Sequence, residues 1–99
     1  MARKRIEIHP AALGELKSAA EWYLERSEPA AEEFVAEVDR AIALVMESPR
    51  RWPVGEYNTR RFVLQRFPFA IIYREKDSGI QILAFAHGHR RPGYWKERL

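Results

Sequence analysis

The chain has 99 residues, 46% of them hydrophobic, no cysteine and a formal net charge of +3. That length suits a single domain spanning residues 1–99, and the lack of cysteine excludes disulfides, thiolate nucleophiles and cysteine zinc sites. No apolar run approaches the ~20 residues of a membrane span, so a cytoplasmic protein with no membrane contact is expected.

Residues 5–9 alternate, with Ile6 and Ile8 on one side and Arg5, Glu7 and His9 on the other. This predicts a short strand with one buried face. Pro10 ends the strand and suits the first position of a helix. From residue 11 to about residue 26, Leu13, Leu16, Ala20, Tyr23 and Leu24 recur at helical spacing. Glu15, Lys17, Ser18, Glu21 and Glu25 fill the other face. Ser27 is a candidate N-cap, with Pro29 in the first turn of the next helix. From residue 30 to about residue 47, Phe34, Val38, Ala41, Ile42 and Val45 form a second apolar stripe, which Ser48-Pro49 stops. Two amphipathic helices with a short connection read as an αα-hairpin. Trp22 and Tyr23 are expected to anchor that hairpin to a sheet.

Residues 49–58 form a loop carrying Arg50, Arg51 and Trp52, which Trp52-Pro53 is expected to stiffen. Residues 61–65 alternate again, as a strand does. Arg66-Phe67-Pro68 suggests a turn or an irregular edge, and residues 69–75 a mostly apolar strand. Lys76-Asp77-Ser78-Gly79 reads as a hairpin turn. Residues 80–86 are apolar on both faces, as in a central strand. Residues 91–99 are polar, with short helical or irregular character. The expected fold is therefore α+β: an N-terminal strand, a helical hairpin, then a three-stranded antiparallel meander. The helices pack on one face of a curved sheet.

Charge is segregated along the chain. Residues 1–48 hold 10 acidic and 6 basic residues, net −4, and residues 49–99 hold 4 acidic and 11 basic residues, net +7. Thirteen of the 17 basic residues are arginine, whose planar fork of donors suits phosphate and carboxylate. The densest cluster follows the last strand: Ala86-His87-Gly88-His89-Arg90-Arg91-Pro92-Gly93-Tyr94-Trp95. These donors and stacking surfaces point to RNA, DNA or an acidic protein as partner. Two histidines with no nearby Asp or Glu make a poor metal site, and no cofactor is expected. No glycine-rich phosphate loop or nucleophile-elbow serine is present, which argues against nucleotide-dependent enzymes and serine hydrolases. Metal-free RNA cleavage is chemically available. Tyr94, His87 or His89 would move protons while arginines stabilise the phosphorane-like charge. The alternative is that Trp95 and Tyr94 pack as a lid on the sheet, with His87 hydrogen-bonded beneath.

Three segments carry a resemblance. They are Ile8-His9-Pro10-Ala11-Ala12 with Glu15-Leu16 and Ala20, then Phe67-Pro68-Phe69-Ala70-Ile71-Ile72-Tyr73, and then Ile82-Leu83-Ala84-Phe85-Ala86-His87 running on to Tyr94. In order, spacing and total length the chain resembles the RelE/ParE superfamily of toxins from bacterial type II toxin–antitoxin systems. The resemblance implies that superfamily's α+β fold and a growth inhibitor held inactive by a cognate antitoxin. It also implies one of two activities. RelE-like members cut mRNA on the ribosome with basic residues and a tyrosine. ParE-like members are not nucleases and poison DNA gyrase. The nuclease positions would fall on Arg61, Arg90 and Tyr94. Arg60, Arg66, His87, His89 and Arg91 would bind nucleic acid or antitoxin. The nucleases usually carry an arginine directly after the aromatic of the central strand, and here that place is Ala70. This departure, the long helical hairpin and the Trp22-Tyr23 pair favour the ParE-like reading. A non-toxic nucleic-acid or protein-binding module is the third. An antitoxin would lay an acidic, partly disordered segment across the basic face and order on binding.

Overall fold

A computed structural model describes residues 5–77 and 79–99 of the protein. Met1 to Lys4, and Ser78 of the expected hairpin turn, lie outside the described residues. In chain order the elements are β1 (Arg5–Ile8), α1 (Pro10–Arg26), α2 (Glu28–Glu47), β2 (Arg60–Val63), β3 (Phe69–Lys76) and β4 (Gly79–His87), with short 3₁₀ turns at Glu56–Asn58 and Lys96–Arg98.

The helix boundaries follow from capping chemistry. His9 caps α1, its Nδ1 accepting the Ala11 N–H at 3.0 Å, and Pro10 occupies the first turn. Ser27 serves both helices. Its N–H donates to the Tyr23 carbonyl at 2.7 Å, and its Oγ accepts the Ala30 N–H at 3.2 Å. One residue that ends a helix and starts the next makes the hairpin sharp.

The sheet order is β1-β4-β3-β2. The last three strands form the expected antiparallel meander. β1 lies parallel beside β4, from Arg5↔Gly79 to Ile8↔Ile82. The helical hairpin is the crossover that a parallel pair requires. A Cβ at residue 79 would run into the Arg5 carbonyl, so only glycine lets the chains meet there.

Two layers cover the sheet. On the helix side, Ala12, Phe34, Val38, Val45, Ile71, Tyr73, Ile82 and Phe85 form the main core. On the opposite side, Ala70, Ile72, Leu83 and Ala84 lie under Trp95 of the C-terminal tail. Cover on both faces explains why β4 is apolar on both, with Gln81 buried and hydrogen-bonded to Arg74 and Glu7. A β-bulge adds to this. Ile72 faces Ala84 and Tyr73 faces Ile82, leaving Leu83 as an extra residue, and both Leu83 and Ala84 belong to the tail-side cluster.

Some expectations about burial are corrected. The buried stripe of α1 runs through Ala12 and Ala19, with Leu16 and Tyr23 beside them, while Leu13 and Leu24 (56% exposed) face out. Tyr23 anchors the hairpin through ring contacts with Phe34 and Phe67 at 5.1 and 5.0 Å. Trp22 does not anchor it. Trp22 is 52% exposed, with the Arg26 guanidinium 3.7 Å from its ring centre. Ile6 is 41% exposed because β1 is an edge strand with a neighbour on one side only. Trp52 packs on Phe62 at 4.7 Å and so fixes its loop to the core. Among the described residues, no helix is long and apolar enough to cross a membrane.

Candidate functional site at the end of the sheet

β1 pairs with β4 only as far as Ile82. Beyond it the outer edge of β4 has no strand neighbour among the described residues, and its backbone groups need other partners. Glu15 and Arg98 supply them. The Phe85 N–H donates to Glu15 Oε1 at 3.1 Å, and Arg98 Nη1 donates to the bulged Leu83 carbonyl at 2.9 Å. Arg98 also grips the Glu15 carboxylate with two bonds of 2.9 Å, and the Tyr94 hydroxyl donates to Glu15 Oε2 at 2.7 Å. Glu15, expected on the solvent face of α1, is thus a hub whose side chain is only 17% exposed. Burial alone would raise its carboxyl pKa. The Arg98 guanidinium, the Tyr94 hydroxyl and the Phe85 amide outweigh that and hold it below the usual value. Burial, and then the Glu15 carboxylate, push the Tyr94 hydroxyl up to about 12.

Two depressions meet at this hub. The larger, about 670 Å³, runs along α1, where Ala11, Gly14 and Ser18 leave room, over an aromatic floor of Tyr23, Phe69 and Phe85. The smaller, about 270 Å³, lies on the tail side and brings together Arg60, Arg61, Arg90 and Arg91 beside Glu56 and Trp95. His87, Arg90 and Tyr94 line both and form the ridge between them. The Arg90 guanidinium sits 3.9 Å from the centre of the Tyr94 ring, a cation–π contact that fixes it on the ridge.

Most residues singled out from the sequence converge here, with different degrees of freedom. Arg60 is committed to the fold. Its Nη1 donates to the Trp52 carbonyl at 2.6 Å, and its side chain is 16% exposed. Arg61 pairs with Ile72 across the β2–β3 ladder, which puts it on the tail face of the sheet. Neither Arg61 nor Arg91 makes an ion pair with any described residue. His89 lines neither depression. It stacks on His87 with ring centres 5.0 Å apart, and its N–H donates to His87 Nδ1 at 3.0 Å. Arg66 stays away, held against Glu33 and Glu37 of α2 at 3.7 and 3.6 Å. Arg74 donates to Gln81 at 2.8 Å and reaches neither depression. Ala70 is 1% exposed beneath Trp95, so the tail fills the space into which a longer side chain would project. The Tyr57 ring meets Trp95 edge-on at 5.9 Å, carried by left-handed backbone at Tyr57 and Asn58 (φ 57° and 59°). Among the described residues, no three histidine, aspartate or glutamate side chains converge as a metal site requires.

Residues 6–92 match the family described as ParE toxin of type II toxin–antitoxin system, parDE. The chain belongs to the ParE toxin family. It is therefore the toxin component of a type II toxin–antitoxin pair, with an antitoxin as partner. A solved chain described as the chromosomal ParDE toxin–antitoxin system from P. aeruginosa has the same fold, with a TM-score of 0.74 at 20% identity. The match covers 86% of this chain and 96% of that one. No curated protein matches the chain.

Sequence reasoning missed three members of this candidate site: Glu15, Arg98 and Glu56. Glu15 reads as one more charge on the polar face of a helix, and Arg98 as part of a polar tail. Neither carries a local signal, because their roles depend on where β1 stops pairing with β4.

Proposed function

We propose that this ParE-family toxin arrests growth by inhibiting DNA gyrase, without cleaving RNA. The observation that carries this reading is the state of two positions a nuclease would need. Ala70 stands where the nucleases place an arginine, and Trp95 closes over it. The Tyr94 hydroxyl is bound to Glu15, with a pKa near 12. A general base or acid works best with a pKa near the operating pH, so Tyr94 is poorly suited to proton transfer. The arginines carry permanent charge and suit binding rather than proton transfer.

The same site suits the antitoxin. Its apolar groove along α1 adjoins exposed arginines, and a segment of mixed apolar and acidic residues would find both a hydrophobic seat and charge complementarity there. An antitoxin lying across the Arg90–Tyr94 ridge would cover both depressions at once.

The test is a pair of assays on the purified toxin. Supercoiling by gyrase is expected to stop at stoichiometric toxin, and to recover when antitoxin is added, while transcripts in a translating extract stay intact. Intact supercoiling with cleaved transcripts would overturn the gyrase reading in favour of the nuclease, which the convergence of Arg61, Arg90 and Arg91 supports. No effect in either assay, and no growth arrest on expression without antitoxin, would leave a binding module.

A further inference from the structure

We propose that the depression holding Arg61, Arg90 and Arg91 is a phosphate-backbone site for duplex DNA. If the gyrase reading holds, the toxin then engages gyrase together with the DNA the enzyme carries.

Four observations support this. First, among the described residues these arginines have no carboxylate partner, in a half of the molecule where most others do. Arg50, Arg60, Arg66 and Arg98 each have a carboxylate oxygen within 4 Å, the shortest contacts being 3.0, 3.9, 3.6 and 2.9 Å. Arg61 and Arg91 are exposed and have no such partner, and Arg90 rests only on the Tyr94 ring. Exposed guanidiniums left unpaired are ready to exchange counterions for phosphates. Second, they come from separate places, β2 and the turn after β4, yet line one depression of about 270 Å³. That arrangement can surround one phosphodiester from more than one side. Third, the rings that line the depression are already occupied: Trp95 is buried against the sheet, the Tyr94 ring carries the Arg90 and Arg98 guanidiniums at 3.9 and 5.1 Å, and His87 stacks on His89. They leave no free face on which an unpaired base could stack, so a duplex backbone fits better than a single strand. Fourth, the net −4 of residues 1–48 lies largely on the helical hairpin, whereas residues 49–99 carry +7. A molecule polarised this way presents its tail side to a polyanion. Among the described residues Glu56 is the one carboxylate in the lining, and it opposes the anion. The antitoxin's acidic residues would compete for the same arginines, so antitoxin binding and DNA binding exclude one another.

The experiment is fluorescence anisotropy of a labelled duplex of about 20 base pairs with purified toxin and no gyrase, over a salt series. Wild type is expected to bind with affinity falling steeply with salt. The double variant Arg61→Gln/Arg91→Gln removes two exposed charges without breaking an ion pair. It should weaken binding about tenfold and lower the salt slope by about 2. Glu56→Gln should tighten binding. Lys17→Gln/Arg40→Gln removes the same charge from the helices and should change affinity less than about twofold. Equal losses in the two double variants, no salt-dependent binding by wild type, or preference for a single-stranded RNA of equal length would each overturn the site. Gyrase supercoiling measured in parallel separates the two ideas. Toxin that binds the duplex but leaves gyrase active sinks the gyrase reading and keeps the site. Gyrase inhibition undiminished in Arg61→Gln/Arg91→Gln, with duplex binding weakened, keeps both the gyrase reading and the site and overturns their joint engagement.

Discussion

Arg91 and Arg98 stand seven residues apart in the same tail and live in opposite circumstances. Arg98 is 16% exposed, grips Glu15 with two bonds and donates a third to the Leu83 carbonyl. Arg91 is exposed, lines a depression and pairs with no described carboxylate. A desolvated guanidinium has to be matched by an anion and by acceptors, and once matched it can fix a chain segment in place. An exposed one gives almost nothing to stability, but its charge remains available to a partner. The tail thus joins a clamp that builds this end of the sheet to a charge that the fold leaves available.

That division can be broken most forcefully at the clamp. Glu15→Ala leaves Arg98, Tyr94 and the Phe85 amide without their shared acceptor in a partly buried place. We expect a loss of about 3 kcal/mol, read as a lower urea midpoint. A change within about 0.5 kcal/mol would mean the hub is decorative.

Tyr94→Phe is a smaller cut, removing one charged hydrogen bond and keeping the ring under Arg90. About 1.5 kcal/mol should be lost. The variant also tests the pH behaviour of the clamp. Tyr94 has its folded pKa raised from 10.0 to about 12, so its contribution is full below pH 10 and lost as pH rises through about 12. Glu15 has its folded value lowered, so its contribution is present above the ordinary carboxylate pKa and lost as pH falls through the folded one. Wild type should therefore lose stability more steeply than Tyr94→Phe above pH 10, and a Tyr94-specific rise in tyrosinate absorbance should appear only near pH 12. Ionisation of Tyr94 at its ordinary pKa would contradict the bond to Glu15.

Arg91→Gln is the opposite case. Its stability should stay within about 0.5 kcal/mol of wild type, while antitoxin affinity falls measurably in a titration at low salt. A destabilised Arg91→Gln would show that this arginine belongs to the fold after all.

Much of this was legible in the residues. The helix boundaries at Pro10 and Ser27 and the order of the meander follow from local chemistry, because capping and alternation act within a few residues. The two-sided apolar character of residues 80–86 correctly placed that strand in the middle. The cluster from His87 to Trp95 lies at the end of the sheet where the two depressions meet, and Trp95 packs as the lid that the alternative reading of the tail expects. The rotation of α1 differs from the one its leucine spacing predicts. Its buried stripe uses the small residues Ala12 and Ala19 instead of Leu13 and Leu24, because helix and sheet approach closely there and alanine permits that.

What the sequence by itself determined is the set of elements, the segregation of charge and the membership of the toxin family. Each of these is encoded in residues near one another or in their order. What only the tertiary structure decided is which charges are spent and which are free. β1 ends its pairing at Ile82, and the edge of β4 that it leaves bare captures Glu15 and Arg98 from opposite ends of the chain. Residues 83 positions apart cannot announce such a pairing locally, because the backbone groups that require it exist only once the sheet has formed.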